Sequence, residues 1–175
     1  MSNFKEIISK NAIATRVKEL AEQLNADYAD VDGCVTLVCV LKGASVFTAD
    51  LMRHLNFDVQ LEFIQLASYS STESSGEIQV IKDISAEISG QNVLVIEDII
   101  DTGNTLNFID KHFLGKATPA SLKYCVLLDN PTRRGESCKN PNYTGFVIPN
   151  QYVFGYGLDY DGKYRQLPYI AAFIK

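Results

Sequence analysis

One segment of the chain, residues 93–106, places a buried strand, two carboxylates, a polar turn and a helix in direct succession. Residues 93–96 are four consecutive apolar residues, three of them β-branched, which is typical of a strand buried on both faces of a parallel sheet. Glu97 and Asp98 follow, and after two more apolar residues a polar run, 101–105, leads into apolar residues at helical spacing. This order predicts a strand–turn–helix unit of an α/β fold.

The polar turn has the composition of a phosphate-binding loop. Its residues are Asp101, Thr102, Gly103, Asn104 and Thr105. Ligands of open α/β sheets bind outside the carboxyl ends of the strands, and a helix N-terminus there offers free N–H groups to a phosphate. Alternatively, Asp101 and Thr102 only cap the helix. Capping does not explain the repulsive pair Glu97 and Asp98, whereas a ribose or divalent-cation site does.

The run from Val95 to Thr105, Val-Ile-Glu-Asp-Ile-Ile-Asp-Thr-Gly-Asn-Thr, resembles the 5-phosphoribosyl-1-pyrophosphate (PRPP) motif of type I phosphoribosyltransferases. Its Glu-Asp-Ile-Ile-Asp-Thr-Gly form is most similar to the 6-oxopurine branch, the hypoxanthine-guanine phosphoribosyltransferases. The Gly-x4-Gly-Lys-Ser/Thr loop of NTPases does not occur in the sequence. The resemblance runs from about residue 12 to the C-terminus and includes Leu-Lys-Gly, Ser-Tyr and Gly-Tyr-Gly-Leu-Asp-Tyr in the family order.

This resemblance implies one domain over residues 1–175. The implied fold is α/β, with a central, mostly parallel sheet flanked by helices, a small hood formed by the N- and C-terminal segments, and a mobile lid hairpin. Apolar spacing independently predicts an amphipathic helix over residues 5–27, with Ile13, Val17, Leu20 and Leu24 on one face. Further strands are predicted at 34–41, 56–67, 77–84, 117–128, 146–148 and 170–174.

Three basic residues, Lys42, Arg134 and Arg165, are the candidates for the pyrophosphate side of the site. Lys42 and Gly43 end the second buried strand. Spacing alone also allows Lys42 to be a solvated turn residue, but the resemblance implies that both residues contact pyrophosphate and that the peptide bond between them can be cis. It implies the same ligand for Arg165 and places Arg134 near the pyrophosphate and the Lys42–Gly43 turn.

The long polar segment at about residues 68–77 is the candidate lid. It contains five serines and one glycine in nine residues and no aliphatic side chain, so it cannot bury a core. It is either a flexible surface hairpin loop or an active-site lid. The resemblance implies the lid, with Ser68 and Tyr69 as its substrate-contacting pair.

Within residues 93–106, the resemblance implies a different role for each group of polar residues. It implies that Glu97 and Asp98 bind ribose, and that both, with Asp159, hold Mg²⁺. It implies that Asp101 is the catalytic base and that Thr102 to Thr105 bind the 5′-phosphate.

The base side is implied by residues from two further segments. Tyr152 matches an aromatic that stacks on the purine, and Val153 a residue whose backbone contacts its edge, although an aromatic strand packed in the core fits the local pattern as well. Asn130 departs from the family, which has a lysine there that donates to the 6-oxygen of the base. An amide can also donate, but it is neutral and can accept.

Composition limits the classes of function. A chain of 175 residues with 46% hydrophobic residues can bury one core. The sequence has no 18-residue apolar run and no secretory signal pattern, so no membrane span is expected. Its four cysteines form no Cys-x-x-Cys pair, which favours reduced thiols and a cytoplasmic location. A net charge of −5 argues against a nucleic-acid partner.

These observations predict a purine salvage transferase that condenses hypoxanthine or guanine with PRPP, using Mg²⁺, to give IMP or GMP and pyrophosphate. Asn130 keeps open a phosphoribosyltransferase for another base, such as xanthine or adenine. A PRPP-binding regulatory protein is the other alternative. Analogy with the family suggests a homodimer or homotetramer.

Overall fold

The computed structural model describes residues 4–68, 78–135 and 138–174. Its elements are β1 (Phe4–Ile8), α1 (Lys10–Asp27), β2 (Val35–Leu41), α2 (Ser45–Met52), β3 (Val59–Ser68), β4 (Ile78–Lys82), β5 (Asn92–Ile100), α3 (Asn104–Leu114), β6 (Ser121–Asp129), β7 (Tyr143–Val147), β8 (Val153–Phe154) and β9 (Ile170–Phe173). A 3₁₀ turn, Pro131–Arg133, follows β6. None of the helices in the described ranges is long and apolar enough to cross a membrane.

The larger sheet sets the position of the site. Within the described residues it has six strands in the order β4-β3-β2-β5-β6-β7, and every neighbouring pair is parallel except β3 with β4. The chain moves from β2 outward to β3 and then crosses back to β5 on the other side of β2. The switch point of the topology therefore lies between the carboxyl ends of β2 and β5, which is where such sheets bind ligands.

The two faces of β5 bury different halves of the core. Leu94 and Ile96 belong to the cluster that includes the buried faces of α1 and α2. Val93 and Val95 belong to the second cluster, which includes the buried face of α3. Alternate residues of a strand point to opposite faces, so four consecutive apolar residues are needed when helices cover both sides.

A second, smaller sheet joins the two ends of the chain. Its order is β1-β9-β8, both pairs are antiparallel, and Phe4 lies opposite Phe173 while Val153 lies opposite Ala172. The aromatic ring of Phe154 in this sheet contacts those of Phe4 and Phe173. The sheet thus combines the segments for which a hood is predicted.

The prediction of one helix over residues 5–27 is wrong at its start. Residues Phe4–Ile8 form β1, because they pair with a strand more than 160 positions later, which no local pattern reveals. Ser9 then caps α1 by accepting a hydrogen bond from the backbone N–H of Ala12 at 3.2 Å. The four apolar positions of the predicted face all lie in α1, and all are buried.

Several other boundaries differ from the sequence predictions, and the strands predicted from residues 56 and 117 begin later, at Val59 and Ser121. β5 continues through Ile100, because its pairing with β6 extends to Ile100 opposite Asp129, so Glu97 and Asp98 lie within the strand. The predicted strand at 146–148 begins earlier, as β7. Ser68 is the last residue of β3, whereas Tyr69 and the rest of the predicted lid through residue 77 lie outside the described residues.

Arg16 ties the first helix to the last strand of the larger sheet. Its guanidinium donates to the backbone carbonyls of Gly145 and Thr144, each at 2.8 Å, and also pairs with Glu19. Hydrogen bonds from a charged donor to partly buried carbonyls contribute more than exposed ion pairs do. Arg16 therefore fixes α1 against β7.

We expect Arg16→Met to lower the free energy of unfolding by about 1–3 kcal/mol, because the aliphatic stem is kept and both carbonyl contacts are lost. Urea denaturation with an unchanged m-value measures this loss. Arg53→Met is the matched control, since the Arg53 side chain is 76% exposed and its ion pair with Asp50 spans 3.7 Å; it should cost less than about 1 kcal/mol. Equal losses in the two variants would contradict the assignment.

Candidate active site

Two adjoining cavities open at the carboxyl ends of the central strands. The larger, of about 290 Å³, brings together six predicted site residues, Asp98, Asp101, Asn130, Tyr152, Val153 and Asp159. The smaller, of about 210 Å³, is lined by Glu97 and by residues 101–105 of the predicted phosphate loop. Ile99 and Asp101 line both cavities. One continuous site therefore joins the predicted base side to the predicted phosphate side.

The phosphate loop ends in an uncapped helix N-terminus. Gly103 precedes α3 with φ = +82°, a conformation that favours glycine, and in the described structure no side chain caps the helix. The backbone N–H of Asn104 donates only a long hydrogen bond, of 3.5 Å, to the hydroxyl of Thr102. The first-turn N–H groups and the helix dipole are thus available to an anion.

The loop that follows β6 supports the phosphate loop from behind. The backbone N–H of Gly135 donates to the carbonyl of Thr102 at 3.2 Å. A Cβ built on Gly103 would lie 2.0 Å from Sγ of Cys138. Any side chain at position 103 would therefore collide with Cys138 in addition to straining the backbone.

Asp101 does not cap α3. Its Oδ2 pairs with the guanidinium of Arg133 at 2.8 Å, and its Oδ1 accepts a longer hydrogen bond, at 3.4 Å, from the side-chain amide of Asn130. Each carboxylate oxygen has a second lone pair. Asp101 is therefore held in place at the junction of the two cavities and can still accept a proton there.

Of the adjacent carboxylates, Glu97 is buried and Asp98 is partly buried. Burial raises the pKa of Asp98 to about 6, and burial together with the neighbouring Asp98 raises the pKa of Glu97 well above its usual range. Oε2 of Glu97 has no hydrogen-bond partner among the described residues. Such groups are stabilised by a hydroxyl donor or a cation.

The three predicted metal ligands are not gathered into one cluster. Asp98 and Asp159 line the larger cavity, whereas Glu97 lines the smaller one. Within the described ranges no group of three or more His, Cys, Asp and Glu side chains is spaced to hold a metal ion. Successive residues of a strand alternate in direction, so the adjacent residues Glu97 and Asp98 line different cavities. A site shared with substrate oxygens needs only one or two protein carboxylates.

The turn after β2 packs directly against the acidic strand. A Cβ on Gly43 would stand 1.5 Å from Oδ2 of Asp98, and a Cβ on Gly157 would stand 2.1 Å from the carbonyl oxygen of Gly43. Gly157 also has φ = +103°. Glycine is thus required at 43 and 157, because the side chain of Asp98 leaves no room for a Cβ at 43 and the backbone of Gly43 leaves none at 157.

The predicted cis bond is one residue out of place. The cis peptide joins Leu41 to Lys42, not Lys42 to Gly43. A non-proline cis bond leaves no mark in composition or spacing, so the sequence could not assign it to either bond. The side chain of Lys42 is exposed at this turn.

Arg165 holds the loop that carries Asp159. Its guanidinium pairs with Oδ1 of Asp159 at 2.5 Å and donates to the carbonyl of Gly157 at 2.6 Å. The charge of Arg165 also lowers the pKa of Asp98, although burial outweighs it. Arg165 therefore lies close to Asp98 and Asp159, two of the three carboxylates of the larger cavity, although it lines a separate cavity itself.

Arg134 faces away from its predicted partners. It pairs with Asp129 and with the side chain of Asn140, and its Cγ lies 3.7 Å from a Cβ built on Gly103. These contacts place it behind the phosphate loop and not at the Lys42–Gly43 turn. The reason is the acidic side chain of Asp129, which ends β6 and holds the guanidinium at that point.

The base side of the larger cavity is formed by β8 and by Tyr152, which directly precedes it. Tyr152 is 60% exposed, contacts the ring of Tyr160 edge-on and donates from its hydroxyl to the carbonyl of Asp159 at 3.2 Å. Val153 is buried and paired with β9. An exposed aromatic face beside a fixed backbone is suited to a planar base.

Sequence reasoning missed three polar residues of this cavity, Arg133, Asn150 and Gln151. Arg133 directly precedes Arg134, and the resemblance assigns only Arg134 to the site. Asn150 and Gln151 directly precede Tyr152, and this position next to an aromatic was the one available signal.

Comparison with known proteins agrees with this geometry. The family model described as phosphoribosyl transferase domain matches residues 3–161. The hypoxanthine-guanine phosphoribosyltransferase of Streptococcus thermophilus is 41% identical over 167 residues, which are 95% of this chain and 91% of that protein. The enzyme of the same name from Bacillus subtilis gives the same identity and the same shares.

Solved structures extend the likeness to three dimensions. The crystal structure of a hypoxanthine-guanine phosphoribosyltransferase from Bacillus anthracis superimposes with a TM-score of 0.89 at 43% identity, covering 97% of this chain and 98% of that one. The predicted fold class, family and type of enzyme are thereby confirmed. The chain belongs to the phosphoribosyl transferase family, in its hypoxanthine-guanine branch.

Proposed function

We propose that this chain transfers the 5-phosphoribosyl group of PRPP to hypoxanthine or guanine, producing IMP or GMP and pyrophosphate. The observation that carries the proposal is that Asp101 lines both cavities of the site. One cavity offers an uncapped helix N-terminus to the 5′-phosphate, and the other offers an exposed aromatic ring to the base. The ribose of PRPP would then span the junction, where bond exchange takes place.

The 5′-phosphate is bound by the phosphate loop. The first-turn N–H groups of α3 and the hydroxyls of Thr102 and Thr105 supply donors, and the helix dipole favours the anion. Glu97 and Asp98 accept from the ribose hydroxyls. As C1′ loses pyrophosphate, positive charge develops on the ribose, and these carboxylates stabilise it.

Pyrophosphate leaves on the side of Lys42, which precedes Gly43, and of Arg165, which pairs with Asp159. Mg²⁺ fits here, since Asp98 and Asp159 are oxygen donors in one cavity and Oε2 of the buried Glu97 has no hydrogen-bond partner among the described residues. We propose Asp98 and Asp159, which share the larger cavity, as its protein ligands, whereas Glu97, the third predicted ligand, would contribute negative charge from the adjoining cavity. When bound, Mg²⁺ would supply charge neutralisation to the leaving pyrophosphate.

The base is held on the opposite side. Tyr152 stacks on the purine, the backbone of Val153 contacts its edge, and Asn130 donates to the 6-oxygen. As N9 bonds to C1′, the base gives up its N7 proton to Asp101, which acts as general base. The small sheet β1-β9-β8 carries Val153, and we propose that it is the hood over the base.

Three further parts of the proposal rest on the family and the composition. We propose a homodimer or homotetramer, supported by the resemblance alone. We propose a cytoplasmic location, supported by four free cysteines. We propose no nucleic-acid partner, supported by the net charge of −5. A second substrate class, xanthine or adenine, is favoured only by Asn130.

The defining experiment incubates the purified chain with PRPP, Mg²⁺ and, in turn, hypoxanthine, guanine, xanthine and adenine. We expect IMP and GMP, with one pyrophosphate released per nucleotide. If nucleotide forms only from xanthine or only from adenine, that base and not hypoxanthine or guanine is the substrate. Absence of nucleotide from every base would leave a PRPP-binding regulator, which PRPP binding by calorimetry would detect.

Asp101→Asn should lower kcat with hypoxanthine by about 10²–10⁴-fold, because an amide cannot take the N7 proton. The dissociation constant for PRPP should stay within about threefold, since the amide keeps the size of the side chain. Steady-state kinetics and calorimetry measure the two effects. Asp30→Asn, an exposed carboxylate of the α1–β2 loop, is the control, and unchanged turnover in Asp101→Asn would remove Asp101 as the base.

Asp98→Asn should change how stability depends on pH. With a folded-state pKa of about 6 and an unfolded-state pKa of about 4, native Asp98 binds more protons than the unfolded residue between these values. The free energy of unfolding of the wild type therefore falls as pH rises from about 4 to 6 and stays lower above it. Above pH 7 the variant should be more stable by on the order of 1–3 kcal/mol.

The same variant tests the cation site. Magnesium pyrophosphate should raise the wild-type Tm more than that of Asp98→Asn, because the variant lacks one ligand charge. Asp58→Asn, an exposed carboxylate before β3, should match the wild type in both measurements. A variant with wild-type pH dependence and the wild-type response to magnesium pyrophosphate would show that Asp98 is structural.

A further inference from the structure

The side-chain amide of Asn130 is held at both ends. Asn130 is only 2% exposed and lines the larger cavity. Its Oδ1 accepts a hydrogen bond from the hydroxyl of Thr132 at 2.7 Å, and its Nδ2 faces Oδ1 of Asp101 at 3.4 Å. Its backbone N–H donates to the carbonyl of Ile100 at 2.9 Å. Neither the backbone nor the amide is therefore free to rotate.

The chemistry of its neighbours fixes which end of the amide faces Asp101. A carboxylate only accepts hydrogen bonds, so the NH₂ end must face it, whereas the hydroxyl of Thr132 can donate to the oxygen end. A flipped amide would oppose its oxygen to the carboxylate of Asp101. Arg133, which pairs with the other oxygen of Asp101, keeps that carboxylate in place.

We propose that Thr132 is a positioning residue that makes Asn130 a hydrogen-bond donor toward the base cavity and so selects 6-oxopurines over 6-aminopurines. The inference rests on the proposed function. Of the two Nδ2 hydrogens one is directed at Asp101, and the other is left for a carbonyl oxygen of the base. Oδ1, the only acceptor of the side chain, is engaged by Thr132. A 6-amino group, which needs an acceptor, is disfavoured.

Without the hydroxyl of Thr132, only the longer contact with Asp101, at 3.4 Å, still orients the amide. Oδ1 would be unengaged, and it could turn to accept from a 6-amino group when such a base is bound. A site built around one defined hydrogen-bonding group discriminates strongly against a ligand that lacks its complement. Loss of the orienting bond should therefore appear as loss of discrimination between the two purine classes.

The test is a competition assay with wild type, Thr132→Val and Thr132→Ser. Each enzyme receives PRPP, Mg²⁺ and equal concentrations of hypoxanthine and adenine, and mass spectrometry measures IMP against AMP, which gives the ratio of the two kcat/KM values. We expect Thr132→Val to lower this ratio about tenfold, with the KM for PRPP unchanged. Thr132→Ser, which keeps the hydroxyl, should restore the wild-type ratio.

Thr118→Val is the matched control, because Thr118 is also exposed but precedes β6 at the other end of the sheet; its ratio should equal that of the wild type. An AMP share that does not rise in Thr132→Val overturns the inference, and so does an equal fall of both products together with a raised KM for PRPP. If the wild type makes no IMP in this assay and no GMP in the incubation with guanine, the proposed function fails and the inference fails with it. A wild type that makes IMP while the variant ratio stays constant rejects the inference alone.

Discussion

The parallel pairing of β5 between β2 and β6 is the constraint on which the rest of this structure depends. It buries alternate residues of β5 against helices on both faces, and it carries Glu97 and Asp98 into the sheet together with them. Burial raises the pKa of both carboxyls. Apolar contacts along β5 thus stabilise the fold, whereas the carboxylates at the end of β5 destabilise it. Substrate hydroxyls and a bound cation would offset that destabilisation.

The features that the sequence could predict are those set by local pattern. The four buried positions of α1 and the succession of strand, polar turn and helix at β5 and α3 follow from apolar spacing. The roles assigned to Asp101, Asn130 and Tyr152 came from the family resemblance, and the structure brings these three residues to one cavity. Their roles in catalysis and binding remain predictions.

The features that the sequence could not predict depend on contacts between distant segments. β1 exists because it pairs with β9, and the ends of β5 and β7 are set by pairing with β6. The resemblance places Arg134 near the pyrophosphate, but Asp129 at the end of β6 holds it behind the phosphate loop. Position in space decided each case, and neighbouring residues in sequence carried no information about it.

The departure at Asn130 is best understood through two residues beside it, Asp101 and Arg133. A lysine at this position would supply both a hydrogen-bond donor and a positive charge beside Asp101. Here the two contributions are separated, because Asn130 supplies the donor while Arg133 supplies the charge at 2.8 Å from Asp101. Arg133 is half exposed, so its charge is screened more than a buried lysine's would be. The chain therefore keeps a positive charge beside Asp101, and in the proposed reaction recognition of the base would depend on a neutral, directional hydrogen bond from Asn130.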